Sequence, residues 1–88
     1  MLEITLIPSL SHCIETTAIK EYNDTLRHLF TGNLNRYAQK LELLKNFLET
    51  ADFRELRTKS EENLMNGKRV EFVLYSENGV TKYKMKVN

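Results

Sequence analysis

Polar and apolar residues alternate with a period of two at both ends of the chain, the spacing of a strand with one buried face. Near the N-terminus the apolar positions of this pattern are Leu2, Ile4 and Leu6. Pro8 has no amide hydrogen to donate to a sheet and therefore marks the end of the strand. Near the C-terminus, Asn78-Gly79 is a strong hairpin signal, because both residues tolerate positive φ. The pattern predicts one N-terminal strand and a C-terminal β-hairpin.

The register of this hairpin follows from its turn. A two-residue turn at Asn78-Gly79 pairs residues whose numbers sum to 157 (78 + 79). One face then carries only apolar pairs, which are Val70 with Val87, Phe72 with Met85, and Leu74 with Tyr83. The other face carries three mixed pairs, which are Glu71 with Lys86, Val73 with Lys84, and Tyr75 with Lys82. Turn chemistry and side-chain pattern are independent signals, and they agree on one register.

Between the strands the apolar spacing changes to three or four residues, which is typical of helices with one buried stripe. The first helix is predicted to take Ser9 or Ser11 as its N-cap and to stop at Gly32. The second is predicted to start at Asn33 or Asn35. The short connection between them predicts antiparallel neighbours.

The apolar stripe of the second helix slips out of phase near residue 52. Asp52 and Glu55 have the spacing of a capping box, so a third helix is predicted to begin there after a break. Asn66-Gly67 is predicted to end it. The resulting order is β-α-α-α-β-β, which indicates a two-layer α+β domain with the helices on one face of a small three-stranded sheet. The first strand should join the hairpin because a two-stranded sheet is marginal, but its edge is not determined.

Composition supports a single domain over residues 1–88. The chain is 41% hydrophobic and 28% charged with a net charge of +1, the balance of an ordinary globular protein. The N-terminus lacks the pattern of a signal peptide, and no apolar run is long enough to cross a bilayer. Cys13 is the single cysteine, which excludes an intramolecular disulfide and fits a reducing compartment. We therefore expect a soluble cytoplasmic protein.

Positive charge is concentrated in the hairpin, where Lys82, Lys84 and Lys86 occupy alternate positions. One interpretation is a solvated strand face whose lysines prevent aggregation. A second is a platform for single-stranded nucleic acid, with Tyr75 as the stacking residue. A third is protein contact, because lysine stems also cover apolar surface. The candidate partner-binding residues are Val73, Tyr75, Lys82, Lys84, Lys86, Lys68 and Arg69.

Motifs for catalysis or metal binding are weak. His12 and Cys13 are adjacent at a helix start, so their side chains diverge and Cys13 is expected to be a small buried hydrophobe. His28 is expected to be a last-turn cation, and an anion site at Arg54 and Arg57 is opposed by surrounding acids. No phosphate loop, zinc spacing or carboxylate pair occurs. We therefore expect no catalytic residue, metal site, cofactor or small-molecule substrate.

These observations favour a small non-enzymatic intracellular binding or adaptor protein that acts through protein–protein contact. We expect it to form a homodimer and not to bind a membrane. The alternative is a nucleic-acid-binding module that uses the basic outer face of the hairpin. An enzyme built around His12, Cys13 or His28 ranks third.

Overall fold

The computed structural model describes residues 2–29 and 34–88. That part of the chain contains three helices and three strands, in the predicted order β-α-α-α-β-β. They are β1 (Glu3–Leu6), α1 (Ile14–Leu29), α2 (Leu34–Thr50), α3 (Phe53–Met65), β2 (Val70–Glu77) and β3 (Val80–Val87). Helix accounts for 54% and strand for 25%, so the predicted α+β class is confirmed.

The three strands form an antiparallel sheet in the order β1-β2-β3. The predicted hairpin register is confirmed at every pair, from Val70 with Val87 to Tyr75 with Lys82. Asn78 and Gly79 have φ values of 54° and 79°, as a tight primed turn requires. β1 pairs with β2 on its other side, which answers the question the sequence left open. β2 is therefore central, and β1 and β3 are the edge strands.

All three helices pack against one face of the sheet. The buried core combines side chains of that face with apolar residues of the helices; it consists of Ile4, Leu6, Ile14, Ala18, Leu43, Leu44, Phe47, Leu56, Val70, Phe72 and Leu74. Phe47 of α2 sits at the centre and makes edge contacts with Phe53 and Tyr83, each with ring centroids 5.3 Å apart. Fully burying an aliphatic side chain contributes about 1.5–3 kcal/mol, so this cluster holds the two layers together.

The start of α1 differs from the prediction. The Ser9 hydroxyl accepts a hydrogen bond from the His12 amide at 3.1 Å, and the Ser9 amide donates to the His12 carbonyl at 2.9 Å. Ser9 thus closes a local turn, and α1 begins only at Ile14, so the prediction of an N-cap at Ser9 or Ser11 is wrong. Cys13 is the residue that directly precedes the helix.

The connection to α2 is only partly described. α2 begins at Leu34, between the two predicted starts, so Asn35 lies inside the helix. The predicted stop at Gly32 and start at Asn33 lie outside the described residues.

The predicted start of α3 is confirmed. Asp52 has extended backbone angles, with φ −84° and ψ 90°, and its carboxylate accepts a hydrogen bond from the Glu55 amide at 3.3 Å. The Glu55 carboxylate pairs with Lys59 at 2.9 Å, so only the Asp52 half of the predicted capping box is observed.

The predicted end of α3 is confirmed as well. Gly67 has a φ of 76°, and its amide donates to the Leu64 carbonyl at 3.1 Å. The Lys68 amide donates to the Asn63 carbonyl at 3.0 Å, which completes a Schellman motif. This turn leads the chain back to the sheet.

Candidate functional site

The face of the sheet that points away from the helices, the outer face, carries the lysine stripe. Its side chains come from all three strands and are Glu3, Thr5, Glu71, Val73, Tyr75, Glu77, Val80, Lys82, Lys84 and Lys86. The register aligns them in rows across the strands, with Val73 between Thr5 and Lys84, and Tyr75 between Glu3 and Lys82. The sheet therefore brings together five of the seven predicted partner-binding residues.

The other two predicted residues lie at the margin of this face. Arg69 directly precedes β2, and it exchanges two backbone hydrogen bonds with Asn88, each 2.9 Å long. Its guanidinium lies 3.0 Å from the Glu71 carboxylate on the outer face. Lys68 lies earlier, in the turn after α3, and is exposed.

Val73 is almost fully covered although it lies opposite the helices. Its side chain is 5% exposed and does not belong to the main core cluster. The flanking positions are Thr5 on one side and Lys84 on the other, and a lysine stem readily covers apolar surface. Val73 thus offers little surface to a partner by itself. The alternating pattern of the strand gave no signal for this burial.

Two of the three lysines on the outer face contact a partner within the chain. The Lys84 ammonium lies 5.7 Å from the ring centroid of Tyr75, a cation–π geometry. Lys82 lies 3.7 Å from the Glu77 carboxylate, and the register places Lys86 opposite Glu71. Exposed contacts of this kind are weak, so an incoming partner can replace them at little cost.

The edge of β3 next to this face is open among the described residues, because the sheet order ends at β3. On the helix side of β3, the side chains of Tyr83 and Val87 are exposed and Met85 is half-buried. A cavity of about 280 Å³ adjoins the strand; it is lined by Phe47, Thr50, Tyr75, Thr81, Lys82 and Tyr83. Sequence reasoning missed this edge because it did not determine which side of the hairpin β1 would occupy.

Cys13 lies in a different environment from the one predicted. It is half-buried, and its Sγ lies 3.3 Å from the Thr16 hydroxyl. Hydrogen bonds from the Thr16 side chain and from the Thr16 and Glu15 amides lower the pKa of the Cys13 thiol, and nearby Arg57 adds to this. Cys13 thus lies where a capping serine is often found, directly before a helix, and the hydrogen bonds there make its thiol more acidic than an ordinary one.

The predicted arginine pair, Arg54 and Arg57, lies near Cys13. Arg54 and Arg57 line a cavity of about 490 Å³ together with Cys13, and Arg57 pairs with Glu61 at 2.9 Å. The same interaction with Glu61 raises the pKa of Arg57. Glu61 therefore occupies the guanidinium that an anion would need.

The two histidines are far less suggestive of chemistry. His12 is exposed beside the Ser9 turn, and His28 stacks on Tyr37 with ring centroids 5.7 Å apart. Within residues 2–29 and 34–88, no group of three or more His, Cys, Asp or Glu side chains is placed to hold a metal ion. In the same ranges, no helix has both the length and the apolar character needed to cross a membrane.

Fold and surface together define a small α+β domain with an exposed, mixed-charge sheet face. The chain belongs to an uncharacterised protein family, whose model matches residues 2–86. No curated protein and no solved structure matches the chain.

Proposed function

We propose that this chain is a small non-enzymatic cytoplasmic protein that binds other proteins, and a second copy of itself, through the outer face of its sheet. The supporting observation is the composition of that face, where Tyr75 and lysine stems lie among carboxylates with the helices packed on the opposite side. Mixed surfaces of this kind resemble non-obligate interfaces, which are no more apolar than the rest of a protein surface. A single unpaired cysteine, Cys13, supports a reducing location.

The arrangement of charges supports self-association. If two outer faces meet around a twofold axis parallel to the strands, β2 stacks on β2 and each β3 lies over β1 of the second copy. Lys82 then lies over the second copy's Glu3, because these residues share a row of the sheet. Symmetry repeats this contact, so each dimer contains it twice. This contact pairs opposite charges, whereas the same axis places Glu71 of β2 over the second copy's Glu71.

The size of the face sets the strength of this dimer. Two strands of eight residues and one of four, at about 3.3 Å per residue and spaced about 4.8 Å apart, form this face. Its area is on the order of 300 Å², less than half of the roughly 800 Å² that each partner buries in a standard stable complex. We therefore expect a weak dimer that forms and dissociates with concentration.

Sedimentation velocity over a wide concentration range tests this proposal, with Ile7→Glu and Ile19→Glu as a matched pair. Ile7 continues the alternation of β1 beyond its last residue and is 49% exposed, whereas Ile19 lies on α1 and is 45% exposed. We expect Ile7→Glu and Tyr75→Ala to abolish self-association and Ile19→Glu to leave it unchanged. A wild-type protein that stays monomeric at all concentrations would contradict the homodimer. Self-association that survives in Ile7→Glu and Tyr75→Ala would place the interface elsewhere, and its loss in Ile19→Glu as well would show that the effect is not specific to the outer face.

The nucleic-acid alternative has less support. Among the described residues of the outer face Tyr75 is the single aromatic, and the carboxylates of Glu3 and Glu71 on the same face repel phosphates. We expect no binding of a single-stranded oligonucleotide at physiological salt. If binding occurs, changing Lys82, Lys84 and Lys86 to Gln should flatten its log–log salt dependence by about 2 units, at roughly 0.7 per phosphate contact. That result would favour the alternative.

A further inference from the structure

The open edge of β3 presents a regular row of backbone hydrogen-bonding groups. Arg69 and Asn88 exchange both backbone hydrogen bonds at 2.9 Å, and such pairs alternate along an antiparallel ladder with pairs that exchange none. Lys86, Lys84 and Lys82 are in phase with Asn88, so their backbone groups face β2. The backbone groups that face the open edge are those of Thr81, Tyr83, Met85 and Val87.

Side chains along this edge are sorted by face. The lysines project to the outer face, while the exposed Tyr83 and Val87 and the half-buried Met85 project to the helix side. A strand added to the edge would continue this alternation, because opposite residues in a sheet share a face. Acidic side chains would then lie opposite the lysines, and apolar side chains would cover Tyr83 and Val87. The cavity beside Thr81 and Tyr83 leaves room for one of them.

A second copy of β3 does not fit this edge. In an antiparallel self-pairing that continues the sheet, lysine positions face lysine positions. If Lys84 lies opposite its own copy, Lys82 lies opposite the second copy's Lys86. If Tyr83 or Met85 lies opposite its own copy, two lysines again face each other. Like charges directly opposite each other are destabilising. Repulsion between lysines therefore disfavours pairing with a second copy of β3, and the same lysines favour a strand with acidic residues.

We propose that β3 binds an extended segment of another protein in which acidic and apolar residues alternate, and that this segment adds a fourth strand to the sheet. This inference rests on the proposed function, since it names a class of protein partner. Backbone hydrogen bonds to the edge supply affinity, and the alternating side chains supply specificity. The carboxylates replace weak contacts, such as the one between Lys84 and Tyr75.

The test uses a fluorescent peptide of alternating Glu and Val, eight residues long to match β3. One control peptide has the same composition with its Glu residues at one end, and another has Lys in place of Glu. We expect the alternating peptide to bind, more weakly as salt rises, and both controls to fail. Changing Lys82, Lys84 and Lys86 to Gln should weaken binding roughly tenfold. Changing Lys20, Lys45 and Lys59, one exposed lysine from each helix, should leave it unchanged.

Hydrogen exchange identifies the binding mode. Peptide should slow exchange of the Thr81, Tyr83, Met85 and Val87 amides, which face the edge, while the Lys82 and Lys84 amides are already protected by β2. Binding without this protection would overturn the added strand. Failure to bind the peptide would also overturn it, and sedimentation of the wild type would still decide the proposed function separately. Oligonucleotide binding at these lysines in place of peptide binding would overturn both.

Discussion

The side chain of Lys84 runs diagonally across the outer face, from its register partner Val73 to the ring of Tyr75. Its ammonium nitrogen lies 5.7 Å from the ring centroid, while Val73 directly opposite is 5% exposed. One lysine thus lies opposite a covered apolar residue and places its charge over an aromatic ring. A partner that binds the ring face of Tyr75 therefore has to displace the Lys84 ammonium.

The burial of Val73 predicts an effect on stability. Val73→Ala should lower the free energy of unfolding by about 1.5 kcal/mol, at roughly 0.8 kcal/mol per buried methylene-sized group. Val80→Ala is the matched control, because Val80 lies on β3 and is 57% exposed. We expect that control to stay within about 0.5 kcal/mol of the wild type. Urea unfolding of both variants provides the measurement, and equal losses would contradict the covered state of Val73.

The start of α3 depends on one side chain. Asp52→Ala removes the acceptor for the Glu55 amide and should cost about 0.5–2 kcal/mol in the free energy of unfolding. Asp52→Asn retains a capping oxygen and should keep most of the stability. Chemical denaturation of the two variants measures the difference. If Asn is as damaging as Ala, capping is not the role of Asp52.

The thiol of Cys13 should react at lower pH than an ordinary cysteine. Hydrogen bonds from Thr16 stabilise its thiolate. The alkylation rate with iodoacetamide, measured against pH, should therefore give a lower pKa for the folded protein than for the unfolded chain. Thr16→Val should move this pKa upward, and Arg57→Gln should move it less because its contribution is smaller. The order of these two shifts is the check, and a larger shift in Arg57→Gln would contradict the assignment.

The same pKa shift has a defined effect on stability. A thiol with a lowered folded pKa stabilises the fold fully above its unfolded pKa, and this contribution is lost as the pH falls through the folded pKa. Cys13→Ser should therefore differ most from the wild type in its stability at alkaline pH. A pH-independent difference in urea unfolding would exclude this linkage.

Gly79 holds the hairpin turn with a φ of 79°, and nothing lies within 4 Å of the position where a Cβ would be. The effect of Gly79→Ala is therefore purely conformational, about 1–2 kcal/mol in the free energy of unfolding. Gly79→Asn should cost less, because Asn adopts left-handed angles more readily. Thermal unfolding of both variants tests this order, and an Ala variant as stable as the wild type would contradict a primed turn.

Much of the fold could be predicted because separate signals agreed. The hairpin register follows both from the Asn78-Gly79 turn and from the pleat, and the start of α3 follows from Asp52 together with a phase slip in the apolar stripe. At the start of α1, where residue type was the single signal, the prediction failed. Ser9 is a good cap by residue type, but its hydroxyl is used in a tight local turn, and no second pattern marked Ile14 as the helix start.

Only part of the candidate site could be predicted from the sequence. The alternation of β3 fixes the direction of its lysines, so the outer face was predicted correctly. The position of the Lys84 ammonium over the Tyr75 ring depends on side-chain torsions that no pattern of residue types encodes. The open edge of β3 was not predicted either, because both sides of the hairpin offer β1 the same apolar face.

The pairing of β1 with β2 also bears on how the protein is made. Glu3 lies opposite Tyr75, so 75 − 3 = 72 positions separate two neighbours in the sheet, whereas the hairpin closes over two residues. Long loop closure is entropically costlier and slows folding. During synthesis β1 leaves the ribosome long before its partner β2, so Ile4 and Leu6 stay unpaired while the three helices are made. The helices can form during that interval, but the sheet is completed only after β3 emerges.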